Sequence, residues 1–296
     1  MLPRRTLLAL PFLARAATAQ PRPLALASFS ILGDLLSQVA GDAMDIRALI
    51  RPEMDAHHFQ PRPSDAEALR GAALVLRNGL GFEPWLDRLL RSTFYRGVVV
   101  TATEGLTPLQ GVDGHGHGHA GPDPHAWQDV RNALRYVASI RAGLAAADPP
   151  RAADYAARAT AYAARLEALD AWVRQRIAAV PEARRVMVTT HEAFGYFAAA
   201  YGVRVLAPEG VGGASQPSAA RIAAVIRQIR EQGITAIFLE GRGSQAVMQQ
   251  LARESGRAAA GRLYADTLSL PDGPAPDYEA MIRHNVTTIT TAMLLA

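Results

Sequence analysis

The sequence predicts an α/β protein of two lobes, each a mainly parallel four-stranded sheet flanked by helices, joined by one long helix. Three observations carry this. Short apolar runs rich in β-branched residues alternate with helical patterns, the alternation occurs twice, and a stretch without glycine or proline separates the two sets. The first set of strands is read at 24–29, 44–50, 73–77 and 97–101, with helices beginning near Ile31, Ser64 and Glu83. Ser64 and Glu67 stand three residues apart, as in a capping box. Residues 151–180 then form one helix, with Asp148 as its cap, Pro149 and Pro150 in its first turn and Pro181 beyond its end. It would reach roughly 45 Å at 1.5 Å per residue. Tyr155, Tyr162, Leu166, Leu169, Trp172 and Val173 do not sustain a heptad, so the helix reads as a strut rather than a coiled coil. The second set of strands is read at 185–189, 203–206, 235–239 and 262–265. The resulting division is 1–19, a leader; 20–148, the first lobe; 149–181, the linker helix; and 182–296, the second lobe.

The leader reading rests on Arg4 and Arg5 before a short apolar run, followed by Ala17-Thr18-Ala19, with cleavage expected before Gln20. Either the general secretory route or twin-arginine export fits Arg4-Arg5-Thr6. The exported chain is expected in the periplasm, with no membrane span after the leader. All 31 basic residues are arginine, and loss of Arg4, Arg5 and Arg15 leaves 28 against 27 acids. That balance gives no basic excess for nucleic acid or an anionic membrane. Zero cysteines exclude disulfides and thiolate metal sites, so only His, Asp and Glu remain as strong ligands.

Four of the eight histidines fall within eleven residues, in His115-Gly116-His117-Gly118-His119 and Asp123-Pro124-His125-Ala126-Trp127. Imidazole at this density points to a transition metal. Four candidate ligands also follow strand ends: His57, His125, His191 and Asp266. In open parallel sheets ligands bind beyond the carboxyl ends of the strands, so these residues would meet in the cleft between lobes. Three imidazoles and a carboxylate suit tetrahedral Zn²⁺. His58 competes with His57, and Glu240 with Asp266. His284 is read as structural, Trp127 and Phe59 as packing residues, and Asp55, Asp123 and Glu192 as groups that could orient ligating imidazoles.

Four segments resemble those of the zinc and manganese class of substrate-binding proteins of bacterial ABC importers. They are Asp55-Ala56-His57-His58-Phe59-Gln60-Pro61, Asn78-Gly79-Leu80-Gly81-Phe82-Glu83-Pro84-Trp85, the Asp123 to Trp127 motif, and His191-Glu192-Ala193-Phe194-Gly195-Tyr196-Phe197. The resemblance runs from about residue 24 to the end. It implies ligands at His57, His125 and His191, and a zinc type, which carries histidine at the third position where manganese types carry glutamate. Zinc-type members also resemble this chain in holding a histidine-rich loop, here 113–121; its glycines make it too mobile to fix a geometry, so His115, His117 and His119 are read as an accessory group that gathers zinc weakly at the cleft mouth or senses excess. At the fourth position Tyr264-Ala265-Asp266-Thr267 departs from the family in lacking the proline and glycine that usually follow the aspartate, leaving Asp266, Glu240 or water. The function implied is capture of Zn²⁺ by a non-enzymatic, monomeric carrier that delivers it to an ABC-type zinc permease with a separate cytoplasmic ATPase. Manganese or iron cargo and a secreted zinc hydrolase are the alternatives; no His-Glu-x-x-His motif supports the last.

Overall fold

The structure is a computed structural model that describes residues 22–111, 121–211, 217–241 and 245–295, so the expected leader lies outside it. The first half runs β1 (Leu24–Phe29), α1 (Ser30–Ala40), β2 (Asp45–Ile50), α2 (Pro63–Gly71), β3 (Ala72–Arg77), α3 (Pro84–Ser92) and β4 (Val98–Thr101). Its strands are all parallel in the order β2-β1-β3-β4. Central β1 is buried on both faces, as expected for a strand covered by helices on each side. The start of α2 differs from expectation: Pro63, not Ser64, opens the helix, and the Asp65 carboxylate accepts from the Arg62 backbone N–H at 2.8 Å. Proline at the first helical position loses no bond there, and the box is closed by Asp65 on the Arg62 N–H rather than by Glu67 on the Ser64 N–H.

Helix α4 (Val130–Ala147) follows, and sequence reading did not single it out. Its buried residues Ala133, Tyr136, Val137, Ile140 and Leu144 keep helical spacing, and it packs along α5 (Ala152–Ala178). Helix α5 has 27 residues and spans about 40 Å. The two prolines form a 3₁₀ turn before it, and Asp148 does not cap its backbone. Instead Asp148 Oδ2 accepts from Tyr155 Oη at 2.7 Å and Arg151 Nη1 at 2.9 Å. The buried stripe of α5 is Tyr155, Ala159, Tyr162, Leu166, Leu169, Val173 and Ile177. These positions advance by three or four residues, so the helix does carry the seam that its larger apolar residues alone do not reveal. Ala159 and Ile177 complete it, and the stripe lies against α1, α4 and α9 (Tyr278–Leu294) rather than standing free.

The second half runs β5 (Val186–Val188), α6 (Gly195–Tyr201), β6 (Arg204–Leu206), α7 (Ala219–Gln232), β7 (Phe238–Glu240), α8 (Gln245–Glu254) and β8 (Gly261–Leu263), ending in α9. Two parallel pairs, β5-β6 and β7-β8, are joined by a parallel bridge between Val188 and Ile237, with Val188 N–H donating to Ala236 O at 2.8 Å. The four strands thus lie side by side as predicted, but each has three residues. One apolar core runs from the first sheet through α5 to α9, and a smaller one lies behind β5 and β7, around Val188, Ile229, Ile237 and Leu251. Asp170 of α5 ties the halves together. It accepts from Arg131 of α4 at 3.2 Å, from Arg174 at 2.9 Å and from Tyr201 Oη of α6 at 2.9 Å.

Candidate metal centre

The segments that follow β2, β4, β5 and β8 deliver His57, His125, His191 and Asp266 to one point between the sheets. One ligand-type atom from each lies within 4.8 Å of the others. Nε2 of His57 and of His191 each sit 3.2 Å from Asp266 Oδ2, and Nε2 of His125 sits 3.4 Å from Oδ1. The three rings pack with centroids 5.3 to 5.8 Å apart, His191 edge to face with the other two and His57 tilted against His125. His125 and His191 are buried, while the His57 side chain remains 15% exposed at the edge of the cleft.

Each buried ring is aimed by a carboxylate behind it. Asp123 Oδ1 lies 2.8 Å from His125 Nδ1 and also accepts the His125 backbone N–H at 2.9 Å. Glu240 Oε2 lies 2.7 Å from His191 Nδ1, and its other oxygen accepts the Thr190 N–H at 2.6 Å. With Nδ1 engaged, Nε2 must face the centre. Glu240 therefore stands behind His191 rather than beside Asp266. His58 turns outward, 60% exposed, with Nδ1 on Asp55 Oδ2 at 2.9 Å. Asp55 acts on backbone instead of on the inward rings, accepting the N–H groups of His57 and His58 at 2.9 and 3.1 Å. Glu192 pairs with Arg221 at 3.2 Å, while Asp123 sits on the inward His125 ring.

The two halves also fix the backbone around Asp266. Trp127 Nε1 and Gln128 Nε2 both donate to Ala265 O at 2.8 Å. Trp127 is a packing residue, tilted against Phe29 and edge-on to Phe82, and a positioning donor as well. Thr267 accepts the Glu53 N–H on Oγ1 at 2.9 Å, and Leu268 N–H donates to Ser30 Oγ at 3.0 Å. The aspartate loop is thereby held by polar bonds to the first half. A cavity of about 330 Å³ opens beside it, lined by Glu53, Asp55, His57, His191, Glu209 and Asp266 among others.

The centre is short of positive charge. Burial alone would lower the His191 pKa, but the Glu240 and Asp266 carboxylates outweigh it and hold it well above the ordinary value. For Asp266 burial acts upward, and the His191 and His125 rings overcome it, leaving its carboxyl well below the usual range. Nε2 of His125 and His191 and Oδ1 of Asp266 are buried without a hydrogen bond. Buried polar atoms are rarely left so, and three imidazole nitrogens with one carboxylate are a donor set for a divalent ion.

A model of the family described as zinc-uptake complex component A, periplasmic, matches residues 26–292. The chain belongs to that family. It is 34% identical over 267 residues to the manganese-binding lipoprotein MntA of Halalkalibacterium halodurans, covering 90% of this chain and 87% of the relative. To the iron-binding protein YfeA of Yersinia pestis it is 35% identical over 263 residues, covering 88% and 83%. The solved structure of the periplasmic zinc-binding protein TroA from Treponema pallidum superposes with a TM-score of 0.85 at 28% identity, covering 92% of this chain and 99% of that one. As a member of this zinc-uptake family, the chain is a periplasmic metal-binding component of an ABC metal importer.

Several residues that shape the centre of this family member escaped sequence reading. Gln128, Tyr196 and Thr267 act through bonds that close only when the two halves meet, and no local pattern marks such bonds. His284 behaves as expected, with Nε2 on Arg262 O at 3.0 Å and the ring against Tyr264. Phe59 packs on Trp85 as expected. His115, His117 and His119 lie outside the described residues; on either side of that stretch, Gly111 N–H donates to Gly121 O at 2.8 Å. Among the described residues, no helix is long and apolar enough to cross a membrane.

Proposed function

We propose that this chain captures Zn²⁺ through His57, His125, His191 and Asp266 and delivers it to an ABC permease whose ATPase is a separate protein. The observation that carries the reading is the convergence of three imidazole Nε2 atoms on one carboxylate. Nitrogen-rich sites favour zinc, whereas manganese is better served by oxygen. Relatives named for manganese and iron make cargo the point to test. Asp266 as fourth ligand also closes the position that a catalytic zinc keeps open for water, which favours a carrier over a hydrolase. Residues 1–19 act as a cleaved export signal, residues 20–148 and 182–296 as two lobes about the linker 149–181, and the mature chain works as a monomer.

The deciding experiment is thermal unfolding of chelator-stripped mature protein titrated with Zn²⁺, Mn²⁺ and Fe²⁺. Zinc at a hundred times its dissociation constant adds about 2.7 kcal/mol to the folded state and should produce the largest shift at equal free metal. A larger shift from manganese would replace zinc as the cargo. Zinc entry should also release a proton. With its pKa held well above the ordinary value, metal-free His191 is shifted toward the imidazolium form, ion-paired with a carboxylate on each side. Coordination through Nε2 removes that proton while Nδ1–H stays on Glu240. Apparent affinity should therefore rise about tenfold per pH unit below the raised pKa and level off above it. Calorimetry in buffers of differing ionisation enthalpy reads the proton directly; buffer-independent heats at neutral pH would refute the exchange.

A further inference from the structure

The orienting carboxylate of His125 is itself seated by the opposite half of the molecule, at Gly195 and Tyr196. A Cβ placed on Gly195 would lie 2.6 Å from Asp123 Oδ2, well inside contact distance. Gly195 opens α6, and its φ lies outside the left-handed region, so the backbone does not demand glycine there. Space does. Asp123 cannot give way cheaply, because it is 3% exposed and its other oxygen is committed to the His125 N–H and Nδ1 at 2.9 and 2.8 Å. The next residue completes the seat: Tyr196 Oη donates to Asp123 O at 3.0 Å and accepts the Leu109 N–H at 3.0 Å. Trp127 and Gln128 of the first half hold Ala265 beside Asp266 in the reciprocal sense.

We infer that Gly195 and Tyr196 are positioning residues for metal capture, acting through Asp123 on the aim of the His125 ring. The inference rests on the reading of His125 as a zinc ligand. A methyl group at 195 pushes the carboxylate off Nδ1, and the imidazole then loses both its fixed tautomer and its direction. Each half of the molecule in this way sets a ligand belonging to the other.

The test is a cycle of mature-protein variants, Gly195→Ala, Asp123→Ala and the double variant, with zinc affinity measured by competition against a chromophoric chelator. Loss of an outer partner typically lowers metal affinity about 10- to 100-fold, and Gly195→Ala and Asp123→Ala should both fall in that range. The double variant should lose no more than Asp123→Ala alone, a non-additivity that a general packing defect would not produce. Tyr196→Phe guards against a folding failure, since it removes one hydroxyl and should cost about three- to tenfold with an unchanged circular dichroism spectrum. Cobalt-loaded Gly195→Ala should show altered visible bands, reporting a moved imidazole. If the wild type binds zinc tightly and His125→Ala abolishes it, yet Gly195→Ala binds as the wild type does or the losses add, the positioning role is refuted. If His125→Ala leaves tight zinc binding intact, it is the ligand reading that fails.

Discussion

Replacing His191 with alanine is expected to abolish tight zinc binding and to weaken the metal-free protein. The two effects have separate origins. Loss of one of four ligands should lower zinc affinity by about three orders of magnitude or more, and with it the zinc-dependent rise in melting temperature. The second effect follows from what surrounds the ring. Glu240 and Asp266 lie 2.7 and 3.2 Å from its two nitrogens, and both are largely buried. Removing the imidazolium leaves facing carboxylates without their cation, a change that costs about 3–5 kcal/mol at a buried site. A group whose folded pKa is raised contributes stability fully below its unfolded pKa and loses it as pH rises through the folded value. The destabilisation by His191→Ala should therefore be largest in weakly acidic solution and shrink toward alkaline pH. His57→Ala, at the exposed edge, should lose zinc affinity with a much smaller effect on the metal-free fold. Retention of the full zinc shift by His57→Ala, His125→Ala and His191→Ala alike would move the site elsewhere.

Glu83→Ala should be the most destabilising substitution outside the centre. The carboxylate is buried and accepts Ser28 Oγ at 2.6 Å, the Asn78 N–H at 2.6 Å and the Gly79 N–H at 3.1 Å. It closes a loop in which Gly79, Leu80 and Gly81 all have positive φ, at 91°, 53° and 80°. Leu80 has no glycine freedom there, so the hydrogen bonds hold a conformation the chain would not otherwise keep. Three donors left without an acceptor amount to about 3–5 kcal/mol in urea unfolding. The consequence reaches the metal. Asn78 Nδ2 donates to Pro124 O at 2.9 Å, next to His125, and Tyr136 Oη donates to Asn78 Oδ1 at 2.6 Å. Surviving folded protein should bind zinc more weakly. Burial raises the Glu83 carboxyl pKa, with Ser28, Asn78, Gly79 and Arg77 offsetting it only in part. Its contribution to stability therefore grows on acidification and fades as pH rises through the raised value. A variant as stable as the wild type would show that the loop holds itself.

Strand ends were the most legible part of this sequence, because apolar runs stop where the chain turns polar: the expected ends at 29, 50, 77 and 101 are those of β1 to β4. That pattern alone brings four chemically suitable residues to one side of two sheets. What it cannot convey is the direction of a ring. His57 and His58 are equivalent in sequence, and only the Asp55 turn, which draws one ring outward, separates them. Glu240 and Asp266 both follow strands, yet one sits on Nδ1 of His191 and the other faces Nε2. Helix α4 was missed although its apolar spacing is regular. The seam of α5 was discounted because alanine at 159 carries little weight in a hydrophobic pattern and much in a close helix contact.

The stripe of α5 buried against elements of both halves has a last consequence. A helix anchored along its length is expected to resist folding at a hinge, so scattering curves of the metal-loaded and metal-free protein should nearly coincide. What would change is the field at the cleft. On the proposed exchange of a proton for Zn²⁺, the local charge rises by about one unit under a mouth lined by Glu53, Asp55 and Glu209. On that proposal fullness would be written as charge rather than as shape, and a receptor that tells the two states apart would be expected to read it electrostatically.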